Sequence, residues 1–248
     1  MNAPASAAQL DRRAQLAASL ARTRARIADA AEAAGRTRDA VTMVAVTKTY
    51  PASDAVLLAG LGVREMGENR DQEAAPKAAE VAAAGVDVRW HFVGQLQRNK
   101  ARSVVTYADL VHSVDSVRLA GALAAAADRH RDRPLDALVQ VSLDGDADRG
   151  GALPDSVDTD RGLAPVAAEI ARHDGLRLAG LMAVAPLGWE PERAFARLAE
   201  VAAGFRVDHP DAGVLSAGMS GDLETAITYG ATHVRVGSAL LGMRSTLR

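Results

Sequence analysis

Eight short apolar runs, most of them rich in β-branched residues, return roughly every 25–30 residues, and a stretch of good helix formers fills each gap. The predicted strands lie near residues 42–47, 63–66, 88–93, 109–112, 137–142, 177–183, 213–216 and 233–236. The predicted helices lie near 52–60, 70–84, 97–106, 116–129, 162–173, 190–204 and 221–228, with a short one from about 238. Near-continuous apolar strands belong to sheets covered on both faces, and parallel strands need long, usually helical crossovers. Eight units in 248 residues match a closed barrel, whose usual size is about 250 residues. The expected fold class is therefore α/β, a single (β/α)8 TIM-type barrel with an added N-terminal helix. A doubly wound open sheet is the competing architecture, but no G-x-G-x-x-G opens any of these helices. Residues 1–35 are expected to form the helical extension and residues 36–248 the barrel. Leu16, Leu20 and Ile27 fall near helical spacing, and Asp11, Asp29 and Glu32 interrupt what otherwise resembles a basic transit segment.

Composition works by exclusion. The formal charge is −2, with Lys and Arg spread along the chain, so there is no general attraction to nucleic acid or to an anionic membrane. Any anion has to be bound locally. With no cysteine, disulfides, thiolate–metal sites and a Cys nucleophile are excluded, which is compatible with a reducing cytoplasm. No apolar stretch approaches the roughly 20 residues of a membrane span. A soluble, cytoplasmic monomer is expected, the last because no apolar surface stripe is evident. The H-E-x-x-H, G-x-S-x-G and Walker signatures are absent. Asp144-Gly145-Asp146-Ala147-Asp148 begins like a calcium loop, but Arg149 stands where the sharp turn needs Gly and Asp155 where the loop needs Glu. The stretch to Gly162 reads as a mobile polar loop.

In a barrel the chemistry gathers at the carboxyl ends of strands. Lys48 closes the first predicted strand, and partial burial there would favour a neutral amine able to attack an aldehyde or ketone. The plain alternative is a lysine whose stem packs while its head reaches water or a carboxylate. After the seventh strand, Ser216-Ala217-Gly218-Met219-Ser220-Gly221-Asp222 leads into a helix, and after the eighth, Gly237-Ser238-Ala239 does the same. Small residues at helix starts suit phosphate, and barrels often bind phosphate at these two loops, although Ser and Gly there are also ordinary caps. Arg235, inside the last strand, needs either a carboxylate partner or a ligand to face. Glu68 and Asn69 follow the second strand, where Asn69 doubles as a helix N-cap. His91 reads as a satisfied structural histidine, while Gln95, Asn99 and Lys100 are candidates to order the loop over the mouth.

These segments resemble a known family. Val46-Thr47-Lys48-Thr49, Gly67-Glu68-Asn69 with Gln72-Glu73, Trp90 to Gln97 with Asn99-Lys100, Gly180-Leu181-Met182, Leu215 to Ser220 with Asp222, and Val234 to Ser238 are similar, in order and spacing, to the pyridoxal phosphate homeostasis proteins of the YggS/PROSC type. The match runs from about residue 41 to 242. The resemblance implies a barrel like the amino-terminal domain of alanine racemase, pyridoxal 5′-phosphate (PLP) as cofactor, and no established turnover. It implies Lys48 as the Schiff-base residue, Ser216, Gly218, Met219, Ser220, Gly237 and Ser238 as the phosphate cup, Arg235 toward the pyridine nitrogen, and Asn69 near the ring. PLP-dependent apo-enzymes are the implied partners. Ser238 stands where many members have Thr, Arg70-Asp71 replace a commoner Tyr-Val, and the loop at 144–162 is longer and more acidic than usual. The competing reading is a racemase-like enzyme, which needs a second base. Tyr50, Tyr107 and Tyr229 are the only tyrosines, and none sits in a recognisable racemase context.

Overall fold

The eight apolar runs form eight parallel strands that follow one another around a closed barrel: β1 (Thr42–Val46), β2 (Glu65–Glu68), β3 (Arg89–Phe92), β4 (Leu110–Val114), β5 (Leu135–Gln140), β6 (Leu176–Met182), β7 (Val214–Ser216) and β8 (His233–Val236). The structure is a computed structural model describing residues 7–146 and 150–242. The helices are α1 (Ala7–Ala33), α2 (Ala52–Gly60), α3 (Asp71–Ala83), α4 (Ala101–Tyr107), α5 (Val117–His130), α6 (Leu163–Ala171), α7 (Pro191–Asp208), α8 (Leu223–Thr228) and α9 (Ser238–Leu241). The expected α/β barrel with its added N-terminal helix is what the chain forms. Several boundaries shift by two to four residues, and two of the differences lie near the barrel mouth. The second strand starts at Glu65 rather than at apolar Val63 and ends in polar Glu68, because pairing with β1 and β3 sets its span. The fourth helix is broken, with a 3-10 turn at Arg98–Lys100 before α4.

Alternation along the strands separates two layers. Ala45, Met66, Trp90, Val234 and Val236 face one half of the helical ring, and Phe92, Val111, Val139, Leu181 and Leu215 face the other. Inside the barrel the apolar filling is small: Leu110, Leu138, Ala179 and Met182, with Val214 against them. Beside Val44 and Val46 of β1, much of the remaining interior is polar, with His91, His112, Ser216 and Arg235 all buried.

Helix α1 packs across α2, α8 and α9, where the barrel closes. Leu16, Leu20 and Ile27 are its buried stripe, each contributing up to about 2–3 kcal/mol by apolar burial. Arg12 grips Asp54 of α2 and Arg26 grips Glu224 of α8.

The polar loop after β5 is pinned where it is described, contrary to the expectation of a mobile segment. Val141 bridges to Ala152 and Leu153 to Gly162, while Asp160 pairs with Arg118 and Asp155 with Arg197. Residues 147–149, which include part of the apparent calcium motif, lie outside the described residues.

Candidate functional site

Strand β1 lies between β2 and β8, so barrel closure sets Lys48 between the turn at Asn69 and the turn at Gly237. A Cβ on Gly237 would lie 3.5 Å from the Val46 carbonyl oxygen, which shows how closely the two strand ends approach. The alternation that turns Val44 and Val46 inward carries Lys48 to the mouth of the barrel. There it is exposed, not partly buried as expected, because β1 ends at Val46 and residue 48 belongs to a turn. No hydrogen bond or ion pair among the described residues engages its ammonium. The next residue, Thr49, has φ +67°, an unusual conformation for a β-branched side chain, and its N–H donates to Glu73 Oε2.

Beneath this turn sits a buried ion pair. Thr47 points toward α3, where its hydroxyl donates to Glu68 Oε1 at 2.6 Å. Lys77 of α3 donates to the same carboxylate and to the Thr47 carbonyl oxygen at 2.7 Å. Burial raises the Glu68 pKa, outweighing the opposing hydrogen bonds from Lys77 and Thr47. The residue before Lys48 is thus clamped by two groups on neighbouring elements.

The two small-residue turns meet. The Ala239 N–H donates to Ser220 Oγ at 3.3 Å, and the Arg235 N–H donates to the Gly218 carbonyl oxygen at 3.0 Å. Gly218 has φ +86°, and a Cβ there would fall 2.6 Å from the Ala226 side chain, so only glycine fits the turn. The Met219 side chain is exposed and its N–H donates to Asp222 Oδ1. The backbone N–H groups of Ser220, Gly221, Gly237 and Ser238 donate to no acceptor among the described residues. These donors lie on two turns that meet where β8 closes on β1, and backbone N–H groups so placed suit an anion.

Arg235 is buried without a carboxylate in contact, so neither of the alternatives read from its sequence position describes its surroundings fully. Its guanidinium donates to Ser216 Oγ at 2.7 Å, to the Ser216 carbonyl oxygen at 2.9 Å and to the Ala183 carbonyl oxygen at 2.9 Å. Burial lowers its pKa to about 10, which leaves it cationic at neutral pH. Ser216 is fully buried, and its hydroxyl serves Arg235 and His112 rather than the two turns. Asn69 is not the N-cap of α3, a position taken by Arg70. Its Oδ1 is buried without a partner, an orphan acceptor at the edge of the mouth. His91 is satisfied on both ring nitrogens, by Glu65 and His112, as a structural histidine should be.

The family model for the alanine racemase N-terminal domain matches residues 18–245. A pyridoxal phosphate homeostasis protein of Mycobacterium tuberculosis is 46% identical over 250 residues, covering 94% of this chain and 95% of the relative. The chain belongs to the pyridoxal phosphate homeostasis proteins. A member of that family from Escherichia coli is 37% identical over 237 residues, covering 92% of this chain and 97% of its own. The structure of PipY of Synechococcus elongatus with PLP bound superposes with a TM-score of 0.75 at 34% identity, covering 92% of this chain and 100% of that one.

Three residues around the barrel mouth and interior are not marked by the strand-end pattern. Lys77 lies on the buried stripe of α3 with Ala74, Ala78 and Val81, and a lysine on such a stripe was the available signal. His112 is a polar residue at a buried position of β4, two residues from Leu110 on one side and Val114 on the other. Arg26 of α1 donates to the Ser220 carbonyl oxygen at 3.2 Å, tying the added helix to the turn after β7, and nothing local in the sequence marks it.

Proposed function

We propose that this chain binds PLP at the barrel mouth and holds it for cofactor supply, without turning over a substrate. The observation that carries the reading is the meeting of an unpaired lysine, a cradle of free backbone N–H groups and a buried, still cationic arginine at the closure of β8 on β1. The residues fit the group. The phosphate would lie on the N–H groups of Ser220, Gly221, Gly237 and Ser238, in a turn that Gly218 alone permits, with Asn69 offering its orphan acceptor at the ring edge. When bound, PLP would supply an aldehyde open to reversible capture by amines, and Lys48 would be the amine that holds it.

Arg235 stays protonated at neutral pH and would oppose a second positive charge on the pyridine nitrogen. The site therefore disfavours withdrawal of electrons into the ring, as racemisation requires, and retains reversible capture of amines. None of the tyrosines supplies a second base at the mouth: Tyr50 bonds the Gly242 carbonyl oxygen, Tyr107 bonds Asp71, and Tyr229 packs on the outer core. The same reading makes the protein a cytoplasmic monomer that hands PLP to apo-enzymes. Residues 1–35 then form an extension braced on the barrel and residues 36–248 the PLP-binding unit.

Borohydride reduction of PLP-loaded protein, followed by peptide mass mapping, should place the adduct on Lys48. Lys48→Ala should remove the visible imine band and leave weaker, phosphate-held binding. An unchanged band in that variant refutes the assignment. Incubation with L-alanine in deuterated water should give no exchange of the α-hydrogen, and rapid exchange would favour the racemase-like reading.

A further inference from the structure

Below Arg235 the polar interior of the barrel is one continuous chain of hydrogen bonds. Glu65 Oε2 lies 2.5 Å from His91 Nε2, His91 Nδ1 lies 2.8 Å from His112 Nε2, and His112 Nδ1 lies 2.9 Å from Ser216 Oγ. Arg235 Nη1 completes the chain by donating to Ser216 Oγ at 2.7 Å. The five members come from five strands, β2, β3, β4, β7 and β8, and all but Glu65 are buried.

The two ends have fixed polarity, since an ionised carboxylate only accepts hydrogen bonds and a guanidinium only donates them. With both imidazoles neutral, one arrangement satisfies every link. His91 donates from Nε2 to Glu65, His112 donates from Nε2 to His91 Nδ1, Ser216 donates to His112 Nδ1, and Arg235 donates to Ser216. Both rings then carry their proton on Nε2.

We propose that Glu65, His91, His112 and Ser216 are positioning residues, a one-way hydrogen-bond chain that fixes the Arg235 guanidinium and so couples the proton state of the barrel interior to the environment of bound PLP. The coupling rests on the reading that Arg235 faces the pyridine nitrogen. The chain itself stands on geometry alone.

A proton added to His112 makes Nδ1 a donor. Ser216 then accepts from both His112 and Arg235, and its own hydroxyl proton loses its acceptor, which changes the polar surroundings of the Arg235 guanidinium. The charged groups around the chain are Glu65 on β2, Arg89 on β3, and His233 and Arg235 on β8, with Asp222 of the turn after β7 acting on Arg235. Arg89 is itself held by Asp136 of β5, together with Arg177 of β6. Burial, above all, holds His112 well below the ordinary histidine range.

The polarity is read from nitrogen-15 spectra of the imidazoles in protein without added PLP. His91 and His112 should both be neutral and protonated on Nε2 at pH 7, and an Nδ1–H or a doubly protonated ring at either position overturns the chain. The coupling is read on PLP-loaded protein. Glu65→Gln lies four hydrogen bonds from Arg235 and replaces an acceptor-only end with an amide that also donates. It should alter the His91 tautomer and move the pH midpoint of the bound-cofactor spectrum by about half a unit or more. Ser216→Ala, which cuts the chain next to Arg235 with little change of volume, should move the same midpoint and serves if Glu65→Gln fails to fold. An unmoved midpoint in a folded variant overturns the coupling. Failure of the unmodified protein to take up PLP would refute the cofactor reading and leave the tautomer result standing.

Discussion

Replacing Lys77 by methionine isolates the clamp beneath the lysine turn. Lys77 is 7% exposed and Glu68 is fully buried, so removal of the ammonium strands a carboxylate inside the protein. Breaking a buried pair on one side costs about 3–5 kcal/mol, most of it the penalty on the charge left behind. That penalty has a ceiling, because the carboxylate escapes by taking up a proton. For a group with an ordinary pKa of 4.5 this costs about 3.4 kcal/mol at pH 7. Loss of the bond to the Thr47 carbonyl adds about 1 kcal/mol, which methionine packing offsets in part. The expected loss is therefore about 3–4 kcal/mol at pH 7.

The sign of the pH dependence follows from the same escape. In the variant the folded-state pKa of Glu68 rises further above 4.5, so the folded state holds the extra proton. Stability is regained as the pH falls through that value toward 4.5, by about 1.4 kcal/mol per unit. Urea unfolding at pH 7.5 and 5.5 reads both quantities. Lys77→Met/Glu68→Leu should recover most of the loss, since neither charge then needs a partner. A single-variant loss below about 1 kcal/mol, or one independent of pH, would refute the reasoning.

Gly218→Ala should cost about 2–3 kcal/mol and weaken PLP retention, because alanine pays for φ +86° and its Cβ meets Ala226 at 2.6 Å; an unchanged urea midpoint would count against the turn as drawn. Thr49→Asn should stabilise by about 1 kcal/mol, since asparagine tolerates φ +67° better than a β-branched residue does. A lower thermal midpoint in that variant would contradict it. His112 and His233 are held below the ordinary histidine value of 6.5 chiefly by burial, His233 at about 4. A depressed folded-state pKa means that their contribution is complete above pH 6.5 and is lost as pH falls, at about 1.4 kcal/mol per unit for each histidine until its folded pKa is reached. Unfolding free energies at pH 7.5 and 5.5 should show this slope, and replacing His233 by asparagine should remove its share.

The order of strands and helices was legible because burial on both faces leaves a mark at every residue. Most strands lie in or beside an apolar run, and eight of them in this length admit few closed solutions. The strand-end residues were legible for a related reason, since Lys48, Asn69, Gly218 and Gly237 sit where an apolar run stops and a polar or small residue begins. Glu68 was read only as a turn residue, because the lysine that buries it lies nine positions away on the apolar face of α3. The interior chain was hidden for the same reason. Glu65, His91, His112, Ser216 and Arg235 are spread over five strands, and no spacing along the chain relates them.

What the amino-acid order determined by itself is the barrel and the set of groups available at its mouth, because periodic burial is a local signal repeated many times. What only the tertiary structure decided is which of those groups meet. Closure of β8 on β1 brings Gly237 against Val46, two residues before Lys48, leaves that lysine exposed, gives the Ser216 hydroxyl to Arg235 and His112, and leaves Asn69 with an unused acceptor. Hydrogen bonds and ion pairs act through space between side chains far apart in sequence, so their partners are set by how the strands are arranged around the barrel and not by any pattern along the chain.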